Sequence, residues 1–220
     1  MRGVGDVSEA LIVMIDPASA QPGAGVVGLL LAAGRGERFD AAVPGGKLEQ
    51  MIDGRSVAEH ALMALLASCD AVIVAVRSFD SAFAQRAREL GAELLVPTEA
   101  TLGMGHSLAA LAAAATARHG GTRTLVVALA DMPWVQADTV RALVDASQRR
   151  DAIVQPEFAG ERGHPVVFPV AFADALAACR GDVGARELLR REATRVVALA
   201  VADSGVLRDV DTREDLPGSA

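Results

Sequence analysis

The sequence predicts an α/β fold in which helices cover both faces of a mostly parallel sheet. Short apolar runs without polar alternation recur along the chain, and longer segments with helical spacing separate them. Strands that are buried on both faces read as continuous apolar runs, and their alternation with helices is typical of parallel sheets. The ligand of such a fold lies at the carboxyl ends of the strands, so we expect the chemistry there.

Each predicted element has its own signal. Helix 56–68 is predicted from a Ser56 N-cap and helical spacing, and helix 81–91 closes on a glycine. The other predicted helices are 106–120, 136–150 and 184–192. The predicted strands are the apolar runs 26–33, 71–76, 93–97, 124–130, 152–158, 164–170 and 195–201.

The composition favours one globular domain behind a flexible extension. The chain has 220 residues, of which 51% are hydrophobic, 22% charged and only 3% aromatic, so we expect a core of Leu, Val and Ala. Residues 1–25 include the stretch PASAQPGAG, which has no periodicity, and we interpret them as a flexible N-terminal extension. Residues 26–220 then form a single domain.

Charge and cysteine content argue against several classes of protein. The net charge is −7 and the pI is about 5.1, which argues against a broad surface for nucleic acid or an anionic membrane. No apolar run approaches the roughly 20 residues that span a bilayer. Cys69 and Cys179 have neither a CxxC motif nor a metal-ligand spacing, so we expect buried free thiols and a cytoplasmic location.

The stretch LLLAAGRGERFDAAVPGGK (29–47) follows the first predicted strand and ends on the only lysine of the chain, against twenty arginines. Glycines allow a tight turn whose N–H groups face an anion, and arginines add charge-assisted hydrogen bonds. The stretch is neither GxGxxG nor a Walker A loop. Lys47 offers a compact ammonium that a planar guanidinium does not imitate, so we interpret it as a phosphate ligand.

Three carboxylates predict a site for a hard cation. Asp131 follows strand 124–130, and Asp209 and Asp211 lie two residues apart in RDVDTRED. In an extended segment the last two point to the same side and can share an ion with Asp131. Taken alone, Asp131 also suits a helix cap and the aspartate pair suits a solvated turn.

Three further motifs flank this region. LGMGHSLAAL (102–111) is a Gly-rich loop that opens a helix and suits contact with a base or ribose, with Ser107 as a hydrogen-bonding partner. RGHPVVF (162–168) places His164 at the start of a strand, although a lone histidine is more often structural. GDVGAREL (181–188) carries Asp182 and Arg186 and suits either a loop over an acceptor pocket or a helix cap.

Together these motifs resemble the MobA-like nucleotidyltransferases, and within them the molybdopterin cytidylyltransferase branch. The matching pieces are LLLAAGRGERF with its lysine, LGMGHSLAAL, ALADMPWV, RGHPVVF, GDVGAREL and RDVDTREDL, in the family's order from residue 26 to about 216. The resemblance implies a Rossmann-like three-layer sandwich of the nucleotide-diphospho-sugar transferase type.

The resemblance also implies roles for individual residues. The loop from Ala33 to Arg38 wraps the triphosphate, with Arg38 and Lys47 as the catalytic phosphate contacts. The implied nucleotide-binding residues are Ala33, Gly34, Arg35, Gly36, Lys47, Gly103, Gly105 and Ser107. The implied ligands of Mg²⁺ are Asp131, Asp211 and, next, Asp209, and the implied acceptor-binding residues are His164 and Arg186.

The activity implied is transfer of a nucleotidyl group, CMP from CTP, to a phosphorylated acceptor such as molybdopterin, with release of pyrophosphate. Its partners are then a nucleotide triphosphate, a small-molecule acceptor and, transiently, a molybdoenzyme or its chaperone. Positioning and charge neutralisation carry such chemistry, and an ionised acceptor phosphate needs no general base.

Two departures from the family pattern leave other functions open. Asp40 stands where the family usually has glycine, with AAVPG lengthening the loop before Lys47, and LEQMIDG replaces a Leu-Leu-Pro-like run. One alternative is an NAD(P)H-dependent oxidoreductase of the nicotine blue oxidoreductase type, which would not need Mg²⁺. The other is a non-catalytic nucleotide-binding accessory protein, which would bind nucleotide without turnover.

Overall fold

A computed structural model describes residues 25–34, 46–98, 103–182 and 184–217, and its centre is an eight-stranded sheet. The strands of the chain are β1 (Val26–Leu31), β2 (Met51–Ile52), β3 (Arg55–Ser56), β4 (Ala71–Ala75), β5 (Glu93–Leu95), β6 (Thr124–Leu129), β7 (Ile153–Phe158), β8 (Glu161–Arg162), β9 (Val166–Pro169) and β10 (Val196–Ala200). The sheet has the order β10-β7-β9-β6-β1-β4-β5, and β8 pairs with β7. β2 and β3 form a separate antiparallel hairpin.

Helices cover both faces of the sheet, which confirms the predicted three-layer α/β class. They are α1 (Val57–Leu66), α2 (Ala82–Glu89), α3 (Met104–Arg118), α4 (Ala137–Arg150), α5 (Ala173–Ala177) and α6 (Arg186–Arg191). In β1, Leu30 packs in one core with α1, α2 and α4, whereas Val27 and Leu29 pack in a second core with α3, α5 and α6. Successive side chains of a strand point to opposite faces, so an unbroken apolar strand supplies both cores.

The sheet is mixed, with parallel pairing as its dominant mode. β1 pairs in parallel with β4 and with β6, β4 with β5, and β7 with β10. β9 runs antiparallel to its neighbours β6 and β7. It reverses direction because the chain turns back sharply after β7 through Ala159 and Gly160, which both have positive φ.

The predicted elements agree with the structure, and the differences concern short pieces and end residues. The helix expected at 106–120 begins at Met104, and the strand expected at 164–170 is reduced to Val166–Pro169. The hairpin β2–β3, the strand β8 and the helix α5 were not predicted because two to five residues are too few to show a period. The flexible extension predicted at residues 1–25 lies outside the described residues except for Gly25.

The register of β1 and β6 places Ala33 and Asp131 at the same edge of the sheet, where the carboxyl ends of these strands lie. Leu31 of β1 stands opposite Leu129 of β6, so Ala33 and Asp131 follow adjacent parallel strands at the same level. A hydrogen bond from Ala130 N to the Leu31 carbonyl extends this pairing past the strand ends, and one from Ala32 N to the Ala75 carbonyl extends the pairing of β1 with β4. None of the described helices combines the length and apolar content that a bilayer span requires.

Replacing Ser56 tests the predicted cap of α1. The Ser56 hydroxyl accepts a hydrogen bond from Glu59 N at 3.2 Å. Ser56→Ala should lower the free energy of unfolding by about 1 kcal/mol in urea denaturation, because one N–H of the first turn loses its acceptor. Ser56→Asp restores an acceptor and should stay close to the wild type. Equal losses in both variants would contradict the capping role.

Candidate active site

The ammonium of Lys47 lies between two carboxylates from distant parts of the chain. Its Nζ is 2.8 Å from Asp131 Oδ2 and 2.7 Å from Asp211 Oδ1. Lys47 opens a short 3₁₀ turn, Lys47–Glu49, directly after Gly46, whose φ is +62°. The side chains are largely shielded from water, with exposed fractions of 14% for Lys47 and 22% for Asp131. The contact therefore joins the Gly-rich segment to the C-terminal segment.

Asp209 completes a cluster of three carboxylates. Asp131, Asp209 and Asp211 each offer one oxygen within 4.8 Å of the others. Burial raises the pKa of Asp209, and the neighbouring charges of Asp211 and Asp131 raise it further. Burial acts to lower the pKa of Lys47, but Asp131 and Asp211 outweigh it and the net shift is upward. A cation is therefore favoured here, which agrees with the predicted proximity of these carboxylates.

The second oxygen of Asp131 has no hydrogen-bond partner among the described residues. Asp131 Oδ1 is buried, whereas Oδ2 contacts Lys47. A buried carboxylate oxygen without a donor is costly, because desolvation removes water and nothing replaces it. This oxygen is suited to accept a ligand that carries positive charge.

Val210 explains why Asp209 and Asp211 share a side. It lies between them, is fully buried and packs with Ile52 of the hairpin and Val57 of α1. Leu48, the neighbour of Lys47, packs against the same small cluster. Because successive side chains of an extended segment alternate, burying Val210 turns both carboxylates the other way. The apolar cluster thus positions Lys47 from one side and the aspartates from the other.

Asp203 fixes the segment that carries these aspartates to the start of α4. Its side chain is buried, and Oδ2 accepts hydrogen bonds from Gln136 N at 2.9 Å and from Thr139 Oγ1 at 2.8 Å. Its Oδ1 accepts from Gly205 N at 2.9 Å. One buried carboxylate thereby supplies the acceptor that the α4 N-terminus needs and fixes the turn that follows.

Two close backbone contacts bring the segment over the sheet edge. His164 N donates to the Val206 carbonyl at 2.9 Å, and Val210 N donates to the Asp131 carbonyl at 2.8 Å. A Cβ on Gly163 would lie 2.0 Å from the Val206 oxygen, so only glycine fits at this position. The glycine of the RGHPVVF motif therefore has a packing role in building the carboxylate cluster.

The turn after Asp211 is held by its own cap. Asp215 Oδ2 accepts hydrogen bonds from Asp211 N at 2.9 Å and from Thr212 N at 2.7 Å. On the other side of the pair, the Arg208 guanidinium stacks over the Trp134 ring at 4.0 Å. Both contacts restrict the backbone that presents Asp209 and Asp211.

His164 lies close to the cluster in an apolar setting. It lines a small cavity together with Leu129, Met132 and Val140, and its Nδ1 is buried with no hydrogen-bond partner among the described residues. Burial lowers the pKa of His164, the charge of Asp131 opposes this, and the charge of Arg186 adds to the lowering. His164 is therefore a neutral hydrogen-bonding group at neutral pH. Contact of His164 and Arg186 with an acceptor stays a prediction.

The two Gly-rich motifs at 102–111 and 181–188 pack on each other. Gly105 N donates to the Gly181 carbonyl at 2.7 Å, and Gly181 N donates to His106 Nδ1 at 3.3 Å. A Cβ on Gly105 would lie 2.6 Å from the Arg180 carbonyl oxygen, and Gly103 has φ +115°. The glycines at the start of α3 are therefore required by the segment packed over them. Contact of Gly103 and Gly105 with a nucleotide stays a prediction.

Some of the remaining predicted nucleotide-binding residues are described by the structure and others are not. Ala33 is buried just after the end of β1, Gly34 is exposed at the end of the described stretch, and Ser107 is buried in α3. Arg35, Gly36, Arg38 and Asp40 lie outside the described residues, so the roles predicted for these arginines and glycines stay predictions. Sequence reasoning missed Asp203, Gly163 and Asp215. Their only signal is that Asp and Gly are common in turns, which does not indicate a long-range contact.

Several solved structures share the fold of this chain. The chain is 26% identical to Rv0371c from Mycobacterium tuberculosis H37Rv, with a TM-score of 0.68 over 88% of this chain and 96% of that one. The same protein solved with manganese gives 25% identity and a TM-score of 0.66 over 87% and 95%. A nucleotidyl transferase from Methanothermobacter thermautotroptrophicus, Mth528, gives 19% identity and a TM-score of 0.70 over 87% and 94%.

The family match places this protein in the nucleotidyltransferase class. The family model of the MobA-like NTP transferase domain matches residues 28–196, most of the chain. The chain belongs to this family, which confirms the resemblance to the MobA-like nucleotidyltransferases. No curated protein matches the chain in sequence.

Replacing Asp203 tests how the carboxylate segment is anchored. Asp203→Ala leaves three donors without their acceptor, so we expect the free energy of unfolding to fall by about 3 kcal/mol in urea denaturation. Thr139→Val removes one of these donors and should cost about 1 kcal/mol. Asp138→Asn is the control, since this α4 carboxylate is 85% exposed. The anchor is refuted if Asp203→Ala is as stable as the control.

Proposed function

We propose that this protein is a divalent-metal-dependent cytidylyltransferase that transfers CMP from CTP to a phosphorylated acceptor such as molybdopterin and releases pyrophosphate. The observation that carries the proposal is the meeting of Lys47 with Asp131, Asp209 and Asp211 at the carboxyl ends of β1 and β6. This is the edge where the ligand of a parallel sheet is expected. Membership of the MobA-like family and the motif resemblance support the nucleotide and the acceptor.

The carboxylate cluster fits a hard divalent cation. Three carboxylate oxygens lie within 4.8 Å of one another, Asp131 Oδ1 is buried without a donor, and the Lys47 ammonium already stands between two of the side chains as a cation. Mg²⁺ and Mn²⁺ prefer oxygen ligands and combine a few carboxylates with phosphates and water. Asp131, Asp209 and Asp211 would hold the ion. Bound there, it neutralises charge on the nucleotide phosphates. The manganese complex of Rv0371c supports this proposal.

Lys47 and the Gly-rich turn neutralise and position the triphosphate. Lys47 carries three N–H donors, and the turn after β1 is expected to add N–H groups and the guanidinium groups of Arg35 and Arg38. The acceptor phosphate oxygen forms a new bond to the α-phosphorus as the bond between that phosphorus and the bridging oxygen breaks. The electron pair leaves with pyrophosphate, so atoms and charge balance without a general base.

His164 and Arg186 are proposed to receive the acceptor. The pKa of His164 is lowered by burial, so the ring is neutral and directs the acceptor by hydrogen bonding. Arg186 at the start of α6 supplies the positive charge that a phosphate needs. Arg186 would then contact the acceptor phosphate, and the rest of the acceptor would lie in the less polar surroundings of His164. We infer a cytoplasmic enzyme whose product passes to a molybdoenzyme or its chaperone.

Ligand-dependent thermal stability is the first test of this function. With CTP and Mg²⁺ each far above the dissociation constant, the melting temperature should rise by several degrees, because ligand at about 100 times Kd adds roughly 2.7 kcal/mol. The rise should vanish with EDTA and in Asp131→Asn, and Asp138→Asn should keep it. GTP, ATP, NADH and NADPH are tested in parallel.

Turnover decides between the three functions raised by the sequence. Pyrophosphate release from CTP with molybdopterin, lowered about a thousandfold or more in Asp131→Asn, is the expected result. A stability gain with NADH or NADPH alone, unaffected by EDTA, would replace the proposal with the oxidoreductase. Binding of CTP without turnover would favour the accessory protein.

A further inference from the structure

We infer that Lys47 is an internal counter-ion that competes with the divalent cation for Asp131 and Asp211, and that it moves to the nucleotide phosphates when the cation binds. This inference rests on the proposed function and concerns the order in which its ligands enter. It assigns one side chain two alternative sets of partners. The protein alone should therefore bind the free metal ion poorly and the metal–nucleotide complex well.

The contacts of Lys47 place its charge where a metal ion would be bound. Its Nζ lies 2.8 Å and 2.7 Å from one oxygen each of Asp131 and Asp211, two of the three members of the carboxylate cluster. A divalent ion bound to these side chains would lie within a few ångströms of the ammonium. Two cations so close repel each other in a partly buried site, where water screens them weakly. The ammonium and the ion therefore exclude each other.

The side chain can leave while its backbone stays in place. The 3₁₀ turn of Lys47 is closed by a hydrogen bond from Gln50 N to the Lys47 carbonyl at 3.3 Å, and Gln50 Nε2 donates to the Gly46 carbonyl at 3.0 Å. Leu48 is fixed in the apolar cluster beneath. Four rotatable bonds then remain to swing the ammonium. Its departure costs no change in the fold.

The choice of lysine agrees with this role. The chain has twenty arginines and no other lysine. An arginine between two carboxylates would bind them through a planar fork with paired hydrogen bonds, a geometry that resists displacement. Lysine binds as a compact point charge and accepts a phosphate in place of a carboxylate with little reorganisation. A position that must exchange partners therefore favours lysine.

Mn²⁺ titration of the full chain without nucleotide tests the competition. Free Mn²⁺ is followed by electron paramagnetic resonance for the wild type, Lys47→Gln and Lys47→Arg. Lys47→Gln should lower the Kd for Mn²⁺ by about tenfold or more, a coupling of ordinary size between two binding events. Lys47→Arg should bind Mn²⁺ no more tightly than the wild type. Circular dichroism and melting temperature confirm that each variant is folded.

A matched variant separates direct competition from a general charge effect. Arg55→Gln removes one positive charge from an exposed side chain of the hairpin β2–β3, whose Ile52 packs against Val210. It should change the Mn²⁺ Kd less than about threefold, as expected for a screened charge. Equal gains in Arg55→Gln and Lys47→Gln would overturn the inference.

Nucleotide binding should respond in the opposite direction. With Mn²⁺ saturating, Lys47→Gln should bind CTP about tenfold or more weakly than the wild type, since the phosphates lose a charged donor. If Lys47→Gln binds Mn²⁺ no better than the wild type, the competition is refuted and the metal site stands. If Mn²⁺ binds to neither protein, with or without CTP, the competition and the metal dependence of the proposed function both fail.

Discussion

Electrostatic repulsion among three carboxylates is the constraint on which this end of the molecule depends. Asp131, Asp209 and Asp211 present oxygens within 4.8 Å of one another, in a setting partly shielded from water. A positive charge beside such a cluster offsets this repulsion, and Lys47 supplies it. The Lys47 ammonium also joins segments that lie 164 residues apart in the chain. The contacts of Lys47 therefore balance the charge of the cluster and hold these segments together.

The scaffold around this contact is apolar on one side and hydrogen-bonded on the other. Val210 and Ile52 pack beneath the site, and their burial sets the direction of the flanking aspartates. Asp203 fixes the same segment from above through three hydrogen bonds. A carboxylate cluster at a sheet edge needs both, because packing alone does not fix the rotation of an extended segment and hydrogen bonds alone do not exclude water.

The sequence predicts what depends on local patterns. β1 and β6 are apolar runs, so their carboxyl ends locate Asp131 at the sheet edge, and the spacing of Asp209 and Asp211 places them on one side. Lys47 stands out because it is the only lysine. Each of these features is visible in a window of a few residues.

Features that arise from long-range packing could not be predicted in this way. Gly163 is needed because the Val206 carbonyl approaches it, and Gly105 because the Arg180 carbonyl does. Neither partner is adjacent in sequence, so these glycines resemble ordinary turn residues. The hairpin β2–β3 and helix α5 were missed for another reason, since two to five residues are too few to show a repeating pattern.

The position of Asp209 and Asp211 has a consequence for the chain as it leaves the ribosome. The family match ends at residue 196, and both aspartates are added after β10, the outermost strand on its side of the sheet. A nascent chain that has already paired β1 with β6 holds Lys47 and Asp131 but lacks their third partner. The site is therefore completed only after Asp209 and Asp211 have been synthesised. An incomplete chain can be folded in its core and still be unable to bind its ligands.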